Sequence, residues 1–259
     1  MGRITDTVKA LIIINVIFYV GSMISGDVAY KLFSLYYFEN PNFHFWQPVT
    51  HMFMHDSQSI MHILFNMFGL YMFGSPLEAR WGRNKFLFFY FSAGIGAALI
   101  HTLVNYYQVQ SVYGLLSNSG MGDVQINDMI ADVWRQVAMS QNGEYSVRLP
   151  EGIDINSFNS MISAYEGTAV GASGAIYGIL VAFGLMYPNT ELMLIFLPIP
   201  IKAKFFIPAL LLLDLFSGLT GFSLFGQNIA NWAHIGGALF GFIMAYYWKK
   251  NSFNDHRWD

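Results

Sequence analysis

Cysteine is absent from this 259-residue chain. That excludes a disulfide framework, thiolate metal sites and a cysteine nucleophile. Charge is scarce: 11% of residues are Asp, Glu, Lys or Arg, against about 25% in an ordinary soluble domain. So few charges do not cover a globular surface. The formal net charge of −3 offers no basic face, so nucleic acid is not an expected partner. Internal repeats and low-complexity tracts are missing too, which removes the matching halves on which many transporters are built. No Ala-x-Ala-like site follows the first apolar run, which reads as a membrane helix rather than a cleavable signal. What is abundant is apolar: 54% hydrophobic residues and 17% aromatic. The composition points to an all-α membrane protein.

Six segments are apolar enough to cross a bilayer, for which roughly 20 residues suffice. They are expected near 8–26, 58–77, 85–107, 168–187, 204–220 and 232–249. A shorter apolar piece, Leu192 to Pro200, reads as an interfacial or re-entrant segment. With the N-terminus inside, the inner side receives Arg3, Lys9, Arg80, Arg83, Lys85, Lys202, Lys204, Lys249, Lys250 and Arg257. The outer side receives only Lys31, Arg135 and Arg148. This positive-inside bias predicts an N-in, C-in arrangement. Spans two, four and six then run inward, so His62, Ser173 and His234 all fall near outer helix ends.

Two outer loops are long. The first, about 27–57, is aromatic and carries His44, His51 and His55 beside Phe43, Phe45, Trp46 and Phe53; such residues settle in the membrane interface. The second, about 108–167, is an acidic insertion in a single membrane domain covering 1–259. Within it, 123–141 is expected to be helical, with Val124, Ile126, Met129, Ile130, Val133, Trp134 and Val137 as an apolar stripe.

The chemistry centres on two stretches. One is Gly171-Ala172-Ser173-Gly174, followed by Tyr177 and Gly178; the other is Ala233-His234 with Gly237 and Gly241. Each opens an apolar run, and each carries glycines four apart, a spacing that lets helix backbones approach closely. Ser173 is the candidate nucleophile and His234 its general base, since a serine needs a base within hydrogen-bond reach. Singly, each has a plainer reading, as a packing serine or a satisfied histidine. Together they are harder to dismiss, because ionisable groups inside a membrane are costly. His62 and Asn66 share a helix face and, with the Ser173 backbone N–H, can supply donors to an oxyanion. Tyr177 lies one turn beyond Ser173, where it can stack on the His234 ring.

These motifs resemble the rhomboid family of intramembrane serine proteases. The similarity covers nearly all of 8–250 and includes Glu78-Ala79-Arg80 and Gly82 at the inner end of the second span. It implies a six-helix rhomboid-like bundle and a Ser173–His234 dyad without an essential acid. It implies an oxyanion site that includes His62 and Asn66. It also implies substrates that are single-span or polytopic membrane proteins, entering between helices two and five beneath a cap loop after helix five. No cofactor is implied. A bacterial inner membrane is the expected location, with the active site facing outward. A catalytically inactive relative that binds membrane clients is the alternative.

Family members often carry Trp-Arg in the first outer loop, where this chain has Trp46-Gln47. Phe216 falls about where an aromatic gate residue sits. Asp214, alone in a leucine run, can be imagined as a third catalytic residue, but the resemblance to a dyad family favours a packing role. His44, His51, His55 and Asp56 raise a metal site, but no His-Glu-x-x-His is present, and none is expected.

Overall fold

A computed structural model describes residues 3–140, 144–194, 197–221 and 230–251. In chain order its elements are α1 (Asp6–Ser25), α2 (Asp27–Phe33), α3 (Gln47–Thr50), a 3₁₀ turn (His51–Phe53), α4 (Ile60–Gly69), a π turn (Leu70–Gly74) and α5 (Ser75–Trp81). Then come α6 (Arg83–Asn118), α7 (Asp123–Met139), α8 (Ile155–Glu166), α9 (Ser173–Met186), strands β1 (Glu191–Leu194) and β2 (Leu197–Lys202), α10 (Ala203–Thr220) and α11 (Asn231–Asn251). Among the described residues, four stretches are long and apolar enough to cross a membrane: Asp6–Ser25, Ile60–Trp81, Arg83–Asn118 and Ala203–Thr220. The chain is a mostly helical integral membrane protein.

It divides into two compact units, one of 1–35, 42–101 and 169–259 and one of 36–41 and 102–168. In the first, α9 is the central element. Ala175, Ile176, Ile179, Leu180, Val181, Ala182 and Phe183 are all buried on it, and it packs against α4, α5, α10 and α11. A helix apolar all round must be enclosed by others, which is how its 14 residues are accommodated. The helix begins later than the expected 168, because Ala169 pairs with Leu35 in an isolated β-bridge and Gly171 has φ +122°, a value no helix contains. Span two runs through α4, the π turn and α5. The turn widens just before Pro76, which has no N–H to give the Met72 carbonyl four residues back. The Glu78 carboxylate reaches across to α1 and accepts from the backbone N–H groups of Thr7 (3.0 Å) and Val8 (2.9 Å) and from the Thr5 hydroxyl. Those amides have no acceptor within their own helix.

The Leu192–Pro200 piece, expected to be interfacial or re-entrant, is built of strands: β1 and β2 form an antiparallel hairpin in which Leu192 pairs with Ile201. Prolines two apart, at 198 and 200, put both missing N–H groups on one strand edge, which a two-stranded hairpin leaves unpaired. And α6 continues to Asn118, well past the expected end at 107.

The second unit is built on large side chains. Leu116, Ile126, Phe158 and Met161 are fully buried, with Val109, Val112 and Val133 close behind. Asp154 caps α8 by accepting the Ser157 N–H at 2.9 Å. The apolar stripe of α7 is narrower than expected: Ile126, Ile130 and Val133 are buried, whereas Val124 is 73% exposed.

Candidate active site

The site lies in the first unit and starts from the scaffold of the loop at 27–57. Gln47 is completely buried and donates through Nε2 to the Lys31 (3.0 Å) and Asn42 (2.8 Å) carbonyls. It therefore ties the loop together. Its own carbonyl meets His51 Nδ1 at 2.9 Å, and the His51 carbonyl accepts the Gly171 N–H at 3.0 Å. Burial pushes the imidazoles of His51 and His55 down to about 4. Both are neutral structural members of the loop at physiological pH. His44 stacks on Trp46 at 4.6 Å between ring centres. Among the described residues, no group of three or more His, Asp or Glu is arranged to hold a metal ion.

From Gly171 the chain turns directly into α9, whose first residue is Ser173. First-turn N–H groups have no partner within a helix, so the Ser173 amide is of the kind an oxyanion can use. Across from it, His234 sits in the first turn of α11. Its Nε2 lies 2.8 Å from Ser173 Oγ, and its ring stacks on Tyr177 with centroids 4.1 Å apart and planes 10° from parallel.

This approach depends on two helix backbones touching. A Cβ built on Gly237 would stand 1.8 Å from the Gly174 carbonyl oxygen, and one on Gly241 would stand 2.4 Å from Gly178 Cα. A hydrogen is the largest side chain either position admits. Glycine seams of this kind replace the hydrophobic drive that membrane helices lack toward one another.

His62 enters from α4. Its Nδ1 accepts the Asp56 backbone N–H at 3.3 Å, which leaves the proton on Nε2. A Cβ on Gly171 would lie 2.9 Å from that Nε2 and 3.6 Å from Ser173 Oγ. The space that glycine leaves open therefore borders both a donor and a nucleophile. Asn66 donates through Nδ2 to the His62 carbonyl at 2.8 Å, which leaves its second amide hydrogen outside that bond. Its Oδ1 is buried without a hydrogen-bond partner.

Asp214 is expected in a protonated or hydrogen-bonded packing role. Its Oδ1 lies 3.3 Å from His234 Nδ1, and both side chains are buried. The lone carboxylate among leucines was a signal that it has a specific partner, but not of which one. Phe216, two residues on, is exposed on α10. The cap loop expected after helix five falls on 222–229, outside the described residues.

Comparison with known proteins agrees on one family. A Schizosaccharomyces pombe protein described as an uncharacterized mitochondrial rhomboid protein is 26% identical over 213 residues, or 80% of this chain and 52% of its own length. Proteins named rhomboid protease GlpG from Yersinia pseudotuberculosis and Yersinia pestis are 25% identical over 186 residues, covering 67% of this chain and 60% of theirs. The chain thus spans between half and three-fifths of the length of these relatives. The Rhomboid domain model matches residues 42–119 and 149–251, a stretch that contains every element of the site, and the chain belongs to the rhomboid family.

Proposed function

We propose that the chain is an intramembrane serine endopeptidase that cleaves transmembrane segments of membrane proteins near the outer leaflet. The observation that carries this reading is the 2.8 Å contact between Ser173 Oγ and His234 Nε2, beside a glycine gap lined by His62 Nε2. His234 takes the Ser173 proton as Oγ attacks the scissile carbonyl, then returns it to the leaving amine. The Ser173 amide, His62 and Asn66 hold the oxyanion, each donor being worth about 10²–10³ in turnover. Water admitted from the outer side then hydrolyses the acyl-enzyme. A peptide bond inside a helix is shielded, so substrates are single-span or polytopic proteins whose segments unwind locally.

The proposed setting is six spans, N-in and C-in, in a bacterial inner membrane, with 108–167 as an outer insertion. The one-sided distribution of Lys and Arg supports the orientation. Reading six spans rests on counting α9 and α11 as crossings beside the four long apolar stretches. One matched relative is described as mitochondrial, so membrane fractionation has an organelle membrane as its opposing outcome.

The deciding experiment uses purified protein in detergent with a model single-span substrate. The wild type cleaves it, and Ser173→Ala lowers the rate to background. Equal cleavage by both overturns the nucleophile assignment; cleavage by neither favours a client-binding relative.

A further inference from the structure

We infer that the second unit carries a binding site for a basic peptide segment, in which a lysine or arginine side chain lies between Trp134 and Tyr145 and meets the Glu166 carboxylate. The site shares no residue with the one around Ser173, and binding there does not depend on the protease reading. A groove of about 450 Å³ opens between α7 and α8, within the size range of ligand sites. Trp134 and Val137 line it from α7, and Tyr145 lines it from the segment that follows. The α8 wall is Asn159, Ile162, Ser163 and Glu166, spaced as one face of a helix. Gln136 on α7 donates to the Ser146 carbonyl at 3.1 Å and accepts the Ser146 N–H at 2.9 Å, while the Tyr145 hydroxyl donates to Asn159. The walls are therefore fixed before anything enters.

The groove calls for a cation. Glu166 is the last residue of α8, where helix carbonyls carry partial negative charge and a carboxylate is unfavourable. The last turn of α8 holds no basic residue, and among the described residues Glu166 has no ion-pair partner. Burial raises its carboxyl to about 7, which the hydrogen bond from neutral Asn40 offsets only in part. A positive charge beside it would reverse that shift. The unit has eight Asp and Glu against two Arg, and Arg135 is already paired with Asp132 at 3.3 Å. The rings of Trp134 and Tyr145 suit a cation as well, since aromatic faces attract one. Two features favour a peptide over a lone amine. Trp134 Nε1 is buried without a hydrogen-bond partner, and a backbone carbonyl is the kind of acceptor it lacks. Asn159 and Ser163 are exposed in the groove wall, where they can meet backbone amides. In the proposed orientation the unit lies outside, where lysine and arginine are scarce beside membrane spans, so requiring one is selective.

The test uses the full chain as Ser173→Ala, which keeps any bound peptide intact, in nonionic detergent at mildly alkaline pH. The probe is a fluorescent glycine–serine peptide with one central arginine and a benzophenone beside it. Its control carries citrulline, a neutral side chain of the same shape. Both are titrated against this protein and against the same protein with Glu166→Gln added, with thermal unfolding followed in parallel. Fluorophosphonate labelling of Ser173 in the wild type is measured separately and tests only the protease reading.

The expected result is that the arginine peptide binds at least about tenfold tighter than the citrulline peptide. Glu166→Gln brings it down to the citrulline level without lowering the unfolding midpoint, and the photo-crosslinks fall within 134–167. Equal affinity for the two peptides overturns the inference. So does an unchanged affinity in Glu166→Gln, or crosslinks that fall elsewhere. Arginine amide binding as tightly as the peptide overturns the choice of a peptide as occupant. The citrulline comparison leaves the groove unaltered, so it decides the matter even where the Gln variant unfolds.

Discussion

The seam between α9 and α11 and the interior of the second unit are packed in opposite ways. In the seam, Gly174 and Gly178 meet Gly237 and Gly241 with no room for a methyl group. In the second unit, Phe158, Met161, Leu116 and Ile126 fill the interior with bulk. The first is a contact of backbones and the second a contact of volumes. Between membrane helices, close approach through small residues supplies the attraction, and here it also sets a catalytic distance. In a unit with an apolar interior and acidic outer faces, burial supplies the stability, and many combinations of side chains can provide it. Precision is therefore expected to be fragile in the seam and tolerance to be a property of the second unit.

Gly237→Ala is the sharpest way to break that contrast. The added Cβ would fall 1.8 Å from the Gly174 oxygen, so α11 must move, and with it His234. A displacement near 1 Å costs about 10²-fold in rate; Ser173 labelling measures it, and near-normal labelling would show that the seam does not set the distance. Phe158→Ala should have the complementary result. It removes a fully buried ring at a cost of about 3–5 kcal/mol, read as faster hydrogen exchange in 102–168, while the labelling rate stays unchanged. A parallel loss of labelling would mean that the site depends on the second unit.

The smallest effect is a pH dependence within the second unit. Burial raises the Glu166 carboxyl from 4.5 to about 7. A folded state that binds the proton more tightly than the unfolded one is stabilised at low pH, and that contribution is lost as pH rises through about 7. Hydrogen exchange in α8 should accordingly be slower at mildly acidic than at mildly alkaline pH once intrinsic exchange is corrected for. Glu166→Gln should flatten the difference, and an unchanged slope in that variant would assign it to another group.

Some of this was legible along the chain because it is periodic. The glycines four residues apart on two distant runs marked the faces that meet, and the stripe Ile126, Ile130 and Val133 marked the buried side of α7. Other parts were not. Leu192–Pro200 is short, apolar and proline-rich, which gives no secondary structure by itself, and only strand pairing shows the hairpin. Gln47 departs from the pattern the resemblance implies, but its donors to Lys31 and Asn42 depend on how a loop closes on itself. Glu78 stood out within a motif, yet the helix it caps lies some seventy positions earlier.

The sequence by itself determined that this is a membrane protein of the rhomboid kind and which residues are candidates for nucleophile and base. Composition, helical spacing and local motifs are properties of the chain read one stretch at a time. Only the tertiary structure decided that Oγ and Nε2 stand 2.8 Å apart, that His62 Nε2 borders the gap at Gly171, and that the carboxylate among the leucines meets the far side of the imidazole. Those are distances between helices remote in sequence, set by how closely glycine-bearing backbones approach.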